Sequence, residues 1–204
     1  MLSSNGFDLW ADGYDKSVIS ADEANEYPFA GYKSILNEIY NIVRESKNRT
    51  VLDVGFGTGI LAQKLYANGY TIFGIDFSSK MIDIAKIKMP NATLIQYDFS
   101  LGLPKELSDK RFDCIVSTYA IHHLTDSGKA DFIKELLEHL NKNGEILIGD
   151  VAFKTRAELE NFKIESDVWD DDESYIVFDD LEKVFPNASF NKFSCCSGLI
   201  RLTK

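Results

Sequence analysis

Cysteine is scarce in this chain: Cys114, Cys195 and Cys196 are the only three in 204 residues. Cys114 lies inside an apolar run that reads as a strand, and neighbours such as Cys195 and Cys196 rarely bridge. No disulfide framework and no metal site is therefore expected. Long apolar runs are also missing: nothing approaches the roughly 20 residues that cross a bilayer. The N-terminus lacks the basic-then-apolar order of a signal peptide. A cytoplasmic protein is the expectation. Basic side chains are in deficit, with 22 Lys and Arg against 32 Asp and Glu, a formal net charge of −10. Polyanions are repelled by such a surface and no basic stripe is present, so neither nucleic acid nor a membrane is an expected partner. A small neutral or cationic molecule fits better.

What is present is a composition 45% hydrophobic and 26% charged, enough to bury the core of one domain. Tyr32, Ile35, Leu36, Ile39, Tyr40 and Val43 recur at the i, i+3, i+4, i+7 spacing of an amphipathic helix. From about residue 50 onward strands alternate with helical patterns, which points to a parallel sheet covered on both faces. Strands read as 50–54, 71–75, 92–96, 112–117 and 145–151. Helices are expected at 60–68, between the Ser78–Ser79 cap and Pro90, and over Ala130, Ile133, Leu136, Leu137 and Leu140, the last stopped by Asn143-Gly144. A polar, acidic segment at 154–173 precedes a helix near 179–185 and a closing hairpin of strands 188–194 and 199–203. The expected fold is α/β: a Rossmann-like, doubly wound, seven-stranded mixed sheet with one antiparallel strand and an N-terminal helical cap. Residues 1–204 read as a single domain, with 1–48 the cap, 49–151 the ligand-binding core and 152–204 the acidic lid segment and closing strands.

The densest signal is 51–59, Val-Leu-Asp-Val-Gly-Phe-Gly-Thr-Gly, followed at once by a helix. A buried strand ending in a glycine turn lets backbone touch a ligand, because glycine tolerates positive φ and has no Cβ in the way. Ligands on such sheets gather at the carboxyl ends of the strands. Those ends carry Asp53 with Gly55, Gly57 and Gly59, then Asp76 with Phe77, then Asp98 with Phe99, then Ser117 to His123. Asp76 lies about 20 residues past the glycines, where a carboxylate accepts from a ribose diol. Asp98 is placed for an adenine amino group, with Phe77 and Phe99 as stacking surfaces. The spacing G-x-G-x-G has Ile60 where a dinucleotide fingerprint needs its last glycine, and the Lys-Ser/Thr of a P-loop is absent. Asp53 would oppose a pyrophosphate, and no Lys or Arg stands near the turn in sequence. S-adenosylmethionine carries an ammonium and a sulfonium but no phosphate, and it suits this acidic mouth. In that reading Gly55, Gly57 and Gly59 accommodate its methionine part and Asp53 helps hold the ammonium.

In its VLDVGFGTG, GIDFS and YDF elements the chain resembles the class I S-adenosylmethionine-dependent methyltransferases of the type-11 kind over about residues 50–150. It is more closely similar to a group of small bacterial methyltransferases through Trp-Ala-x-x-Tyr-Asp-x-Ser-Val at 10–18 and Ser-x-Tyr-Ala-x-His-His-Leu-Thr-Asp at 117–126. The C-terminal third matches loosely, and Asp53 stands where close relatives often have Glu, which keeps the charge. The resemblance implies cofactor binding by Gly55, Asp76 and Asp98. It also implies that the cap closes over the cofactor, bringing Tyr14 and Trp10 near the sulfonium for a cation–π contact; packing of Phe7, Trp10 and Tyr14 on the domain is the plainer reading.

On the acceptor side, Ser117 borders the cofactor and, with Tyr119, lines the path to the small-molecule acceptor. His122 and His123 are the candidate catalytic residues, the one pair able to take a proton near neutral pH. Methyl transfer needs a base only when the acceptor must lose a proton; otherwise alignment supplies the rate. Trp169 among Asp167, Asp170, Asp171, Asp172 and Glu173 reads as a solvated loop or as a lid over a cationic acceptor. A second class of function stays open, a protein that holds S-adenosylmethionine or S-adenosylhomocysteine without turning it over.

Overall fold

The structure, a computed structural model, describes residues 14–45 and 49–204. Trp10 and Phe7 lie outside the described residues, as does the side chain of Tyr14. Two helices come first, α1 (Tyr14–Ala24) and α2 (Tyr32–Glu45). Strands and helices then alternate: β1 (Thr50–Val54), α3 (Ile60–Ala67), β2 (Thr71–Asp76), α4 (Ser79–Lys88), β3 (Thr93–Gln96), β4 (Phe112–Thr118), α5 (Asp126–Glu138) and β5 (Leu140–Phe153). The chain closes with α6 (Arg156–Glu165), β6 (Ile176–Val177), α7 (Phe178–Val184), β7 (Ser189–Lys192) and β8 (Ser197–Thr203). Among the described residues no helix is long and apolar enough to cross a membrane.

The sheet runs β3-β2-β1-β4-β5-β8-β7, parallel from β3 through β5 and antiparallel at β8. The seven-stranded mixed sheet with one antiparallel strand is therefore present. The two-residue β6 is an eighth strand, paired to the end of β5 at Ala152 and Phe153. Strand order reverses between β1 and β4, and the loops at those carboxyl ends form the crevice typical of doubly wound sheets. One core layer packs α2, α3 and α4 on the sheet and the other packs α5 and α7. Helix α2 comes unusually close to β5, because a Cβ on Gly149 would lie 2.2 Å from Ile35 Cγ2.

Two expected elements differ. Helix α5 ends at Glu138 rather than near Asn143, and Leu140 already belongs to β5. Asn143, at φ 64°, and Gly144 sit in an irregular start of that strand, whose register shifts between Phe112 and Cys114. The apolar spacing had merged a helix end with a strand start because both bury leucines on the same side. The acidic segment is also more ordered than expected, since α6 occupies its first half with Thr155 capping Glu158 N. Its one buried residue, Leu159, is too weak a stripe to announce a helix in sequence.

Candidate functional site

Strand β1 delivers Asp53 to the sheet's upper rim, buried to 1% exposure, and the chain turns sharply after Val54. Gly55, at φ 69°, donates its N–H to Ile75 O at 2.8 Å, which brings the turn against β2. A Cβ there would stand 2.4 Å from that of Ala120. Gly57, at φ 53°, has no atom of the described residues within 4 Å of where its Cβ would be. Its N–H donates to Asp76 Oδ2 at 2.8 Å, and Asp76 Oδ1 accepts from Ser78 N at 2.9 Å. One carboxylate thus fixes both the glycine turn and the start of α4, where Ser78 caps Met81 N.

Around this turn opens a cavity of about 660 Å³, mouth included. Of the expected residues it is lined by Asp53, Gly55, Gly57, Asp76, Phe77, Phe99, Tyr119 and His123, joined by Tyr32, Met81 and Thr118 among others. Among the described residues no Lys or Arg is in its wall. One lysine does reach the turn, contrary to the sequence reading. Lys88, four residues before Ala92 in the chain, donates to Thr58 O at 2.9 Å from outside the cavity and lies 3.9 Å from Asp15 Oδ2. Asp15 of α1 in turn accepts from Thr58 Oγ1 at 2.7 Å, so the first described helix is tied to the glycine turn.

Asp53 Oδ1 is buried and has no hydrogen-bond partner among the described residues. Burial first, and the neighbouring Asp76 charge second, push the Asp53 carboxyl up to about 7. An unpaired buried anion costs several kcal/mol, and a cationic ligand group removes that cost. The residues present therefore fit a ligand bringing an ammonium to Asp53, a backbone-hugging chain past Gly55 and Gly57, and a ring between Phe77 and Phe99.

Other expected residues serve from outside the lining. Gly59 caps α3 at φ 76°, where a Cβ would meet Met89 Cε at 2.9 Å, so it permits helix packing. Ser117 is buried and spends its hydroxyl on Val54 O at 3.1 Å. Asp98 is exposed and caps the short 3-10 turn 99–101 through Ser100 N at 2.9 Å. Trp169 belongs to an aromatic cluster, 4.8 Å from Tyr175 edge-on and 5.9 Å from Tyr27 stacked, with Phe162 beside it. The acidic run is pinned as well: Asp171 pairs with Lys163, and Asp170 N donates to Tyr27 Oη at 3.3 Å.

The two histidines sit on the 3-10 turn 121–123 with ring centroids 4.3 Å apart. His123 reaches the cavity, and its Nδ1 lies 2.9 Å from Glu173 Oε2. His122 is outside the lining and is held by Asp150, fully buried, with Nδ1 2.6 Å from Oδ1 and its backbone N–H donating to Oδ2 at 3.3 Å. Burial pulls the His122 imidazole down, but the Asp150 charge and hydrogen bond outweigh it and leave the net shift upward. Burial raises Glu173, yet its bond to His123 and both imidazoles bring it below its ordinary value. Tyr119, at φ 49° beyond β4, packs its ring 5.3 Å from Tyr32 and 5.4 Å from Phe29.

Sequence reasoning missed Asp150 and Tyr32. Asp150 stands near the carboxyl end of β5, so the strand-end rule applied to one more strand would have found it. Tyr32 was read only as helix core. Glu173 was named in the acidic run around Trp169, but its pairing with His123, 50 residues away, gave no local signal.

The model of the methyltransferase domain family matches residues 51–144. An uncharacterized methyltransferase of Anoxybacillus flavithermus is 41% identical over 150 residues, 74% of this chain and 68% of that protein. One of Geobacillus thermodenitrificans is 35% identical over 193 residues, 91% of this chain and 87% of that protein. The solved DhpI–SAH complex superposes with a TM-score of 0.71 at 16% identity, covering 97% of this chain and 93% of that one, a likeness of fold.

Proposed function

This chain belongs to the class I S-adenosylmethionine-dependent methyltransferases, and we propose that it passes a methyl group to a small-molecule acceptor by in-line displacement. The observation that carries the reading is the unpaired, buried Asp53 Oδ1 beside a glycine turn that leaves room for a ligand. When bound, S-adenosylmethionine supplies a sulfonium-activated methyl group. Asp53 takes the ligand's ammonium, and Gly55 and Gly57 let the backbone approach its methionine part. Asp76, fixed by Gly57 N and Ser78 N, places its carboxylate at the ribose diol. Phe77 and Phe99 flank the adenine, with Asp98 at the rim for its amino group. Gly59 and Ser117 hold the turn and β4 in place from behind.

Tyr32, Thr118, Tyr119 and His123 form the acceptor wall. They exclude water and align the acceptor, which is where the rate of a displacement is gained. His123, with His122 behind it, takes the proton of an acceptor that must lose one. Residues 1–48 act as the cap, a role supported by the Asp15–Thr58 bond, and 152–204 supply the lid in which Trp169 orders the acidic run over the acceptor side. The three free cysteines, two of them buried, support a reducing cytoplasmic setting.

The test is a single-turnover assay with methyl-labelled cofactor and a small-molecule extract. Label should move to the low-molecular-weight fraction with one equivalent of S-adenosylhomocysteine released. Cofactor binding without release under any extract would make the chain a binding protein instead.

A further inference from the structure

We propose that His122, His123 and Glu173 form a binding site for a first-row divalent cation in the wall of the methyl-transfer cavity. One nitrogen from each imidazole and one carboxylate oxygen all lie within 4.8 Å of one another. Two histidines and one carboxylate are a donor set suited to Zn²⁺, Co²⁺, Mn²⁺ or Fe²⁺, and three ligands leave positions open for water or an acceptor. Donors on a cation with bonds of about 2.1 Å sit roughly 3 Å apart. The His123–Glu173 pair already has that spacing at 2.9 Å.

The surroundings argue for a cation independently of the ligand atoms. Asp150 is fully buried and holds Nδ1 of His122 at 2.6 Å, leaving Nε2 as the ring atom for a metal. A buried carboxylate behind a metal-ligating imidazole is the outer-shell partner such histidines nearly always have. Charge points the same way. Lys129 is buried and engaged with Leu124 O at 2.6 Å and Asp126 Oδ1 at 3.3 Å. Asp150 and Glu173 then remain as two largely buried carboxylates facing two imidazoles, with side-chain exposures of 0% and 11%. Lys129 offsets part of that negative charge, and a cation held by the imidazoles and Glu173 offsets the rest. The lid is bound into the same place, since Ser174 N donates to His122 O at 3.0 Å. His123 reaches the cavity wall, so a cation here lies beside the acceptor, where it would coordinate an oxygen or sulfur and lower its pKa. With the imidazoles on the cation, the proton of the acidified acceptor would pass to solvent water, while cation binding itself does not depend on the methyltransferase reading.

The experiment titrates the full chain, stripped with chelator, with Co²⁺ while recording visible absorption. One equivalent should bind and give d–d bands, and Zn²⁺ should displace it. His122→Ala and Glu173→Gln should each weaken binding at least tenfold, and Asp150→Asn by about 10- to 100-fold. Cys195 is exposed, so Cys195→Ser must retain the bands. Affinity for S-adenosylhomocysteine, measured on each variant, shows that it is folded. Absence of a saturable Co²⁺ signal overturns the site. So does a signal that survives His122→Ala and Glu173→Gln, or one that Cys195→Ser abolishes.

Discussion

Asp53 and Asp76 are buried neighbours at the ends of adjacent parallel strands, and they are satisfied unequally. Asp76 accepts from Gly57 N and Ser78 N, whereas Asp53 Oδ1 accepts from no described residue. The pair joins a carboxylate held by two backbone N–H groups to one with an open oxygen, which we propose takes a cation.

The first prediction concerns pH and stability. Asp53 titrates near 7 in the fold, because of burial and then the Asp76 charge, against an ordinary value of 3.8. Between those values the folded chain holds a proton that the unfolded chain has released. Its contribution is therefore favourable at low pH and is lost as pH rises through about 4 to 7. Asp53→Asn removes this term. Relative to wild type, the variant should gain stability over that window by up to about 4 kcal/mol, read by urea melts at successive pH values. A constant difference would show that Asp53 is not the titrating group.

The two glycines should respond differently to alanine. Gly57→Ala adds a methyl group in open space at positive φ, so stability should fall by only about 1–2 kcal/mol. Cofactor affinity should fall at least tenfold if, as we propose, the cofactor's methionine part lies against Gly57. Gly55→Ala drives a Cβ into that of Ala120 and should cost more stability, about 2–4 kcal/mol. Thermal melts with and without S-adenosylhomocysteine separate the two effects.

Helix α2 and strand β5 offer a packing test. Gly149→Ala should destabilise by about 1–3 kcal/mol, since its Cβ meets Ile35 Cγ2 at 2.2 Å. Ile35→Ala opens that space, so the double variant should be more stable than the sum of the single losses, a coupling of at least about 0.5 kcal/mol in a double-mutant cycle. Strict additivity would place the contact elsewhere.

Most of the fold was legible because it follows local rules. The 3.6-residue stripe through Ile35, Ile39 and Val43, the apolar runs at β1 and β4, and the Ser78 cap each report their own backbone. The glycine turn and Asp53 were equally readable, since spacing alone places them at one strand end. What escaped depends on distance in sequence. Leu140 looked helical until its pairing with Phe112 in the neighbouring strand was known. Helix α6 buries too little to show a stripe. For Trp169 and the acidic run the sequence left a solvated loop and a lid both open, because the contacts to Tyr27 and Tyr175 come from 142 and 6 residues away.

That aromatic cluster gives a fourth prediction. Trp169→Ala removes its edge contact with Tyr175 and its stack on Tyr27, and should cost about 1–3 kcal/mol. With the lid loosened, KM for the acceptor should rise several-fold while affinity for S-adenosylhomocysteine changes little. Equal loss of both would make Trp169 part of the general scaffold.

The central claim is that Asp53 meets a cationic ligand group, and calorimetry of S-adenosylhomocysteine binding in buffers of different ionisation enthalpy tests it most directly. With Asp53 titrating near 7, binding should release about 0.9 proton at pH 6 and about 0.1 at pH 8. Below pH 7 affinity should fall by about tenfold per pH unit. Asp53→Asn should abolish the proton release and weaken binding at pH 8. Binding that releases no protons at pH 6, or that Asp53→Asn leaves intact, would contradict the account.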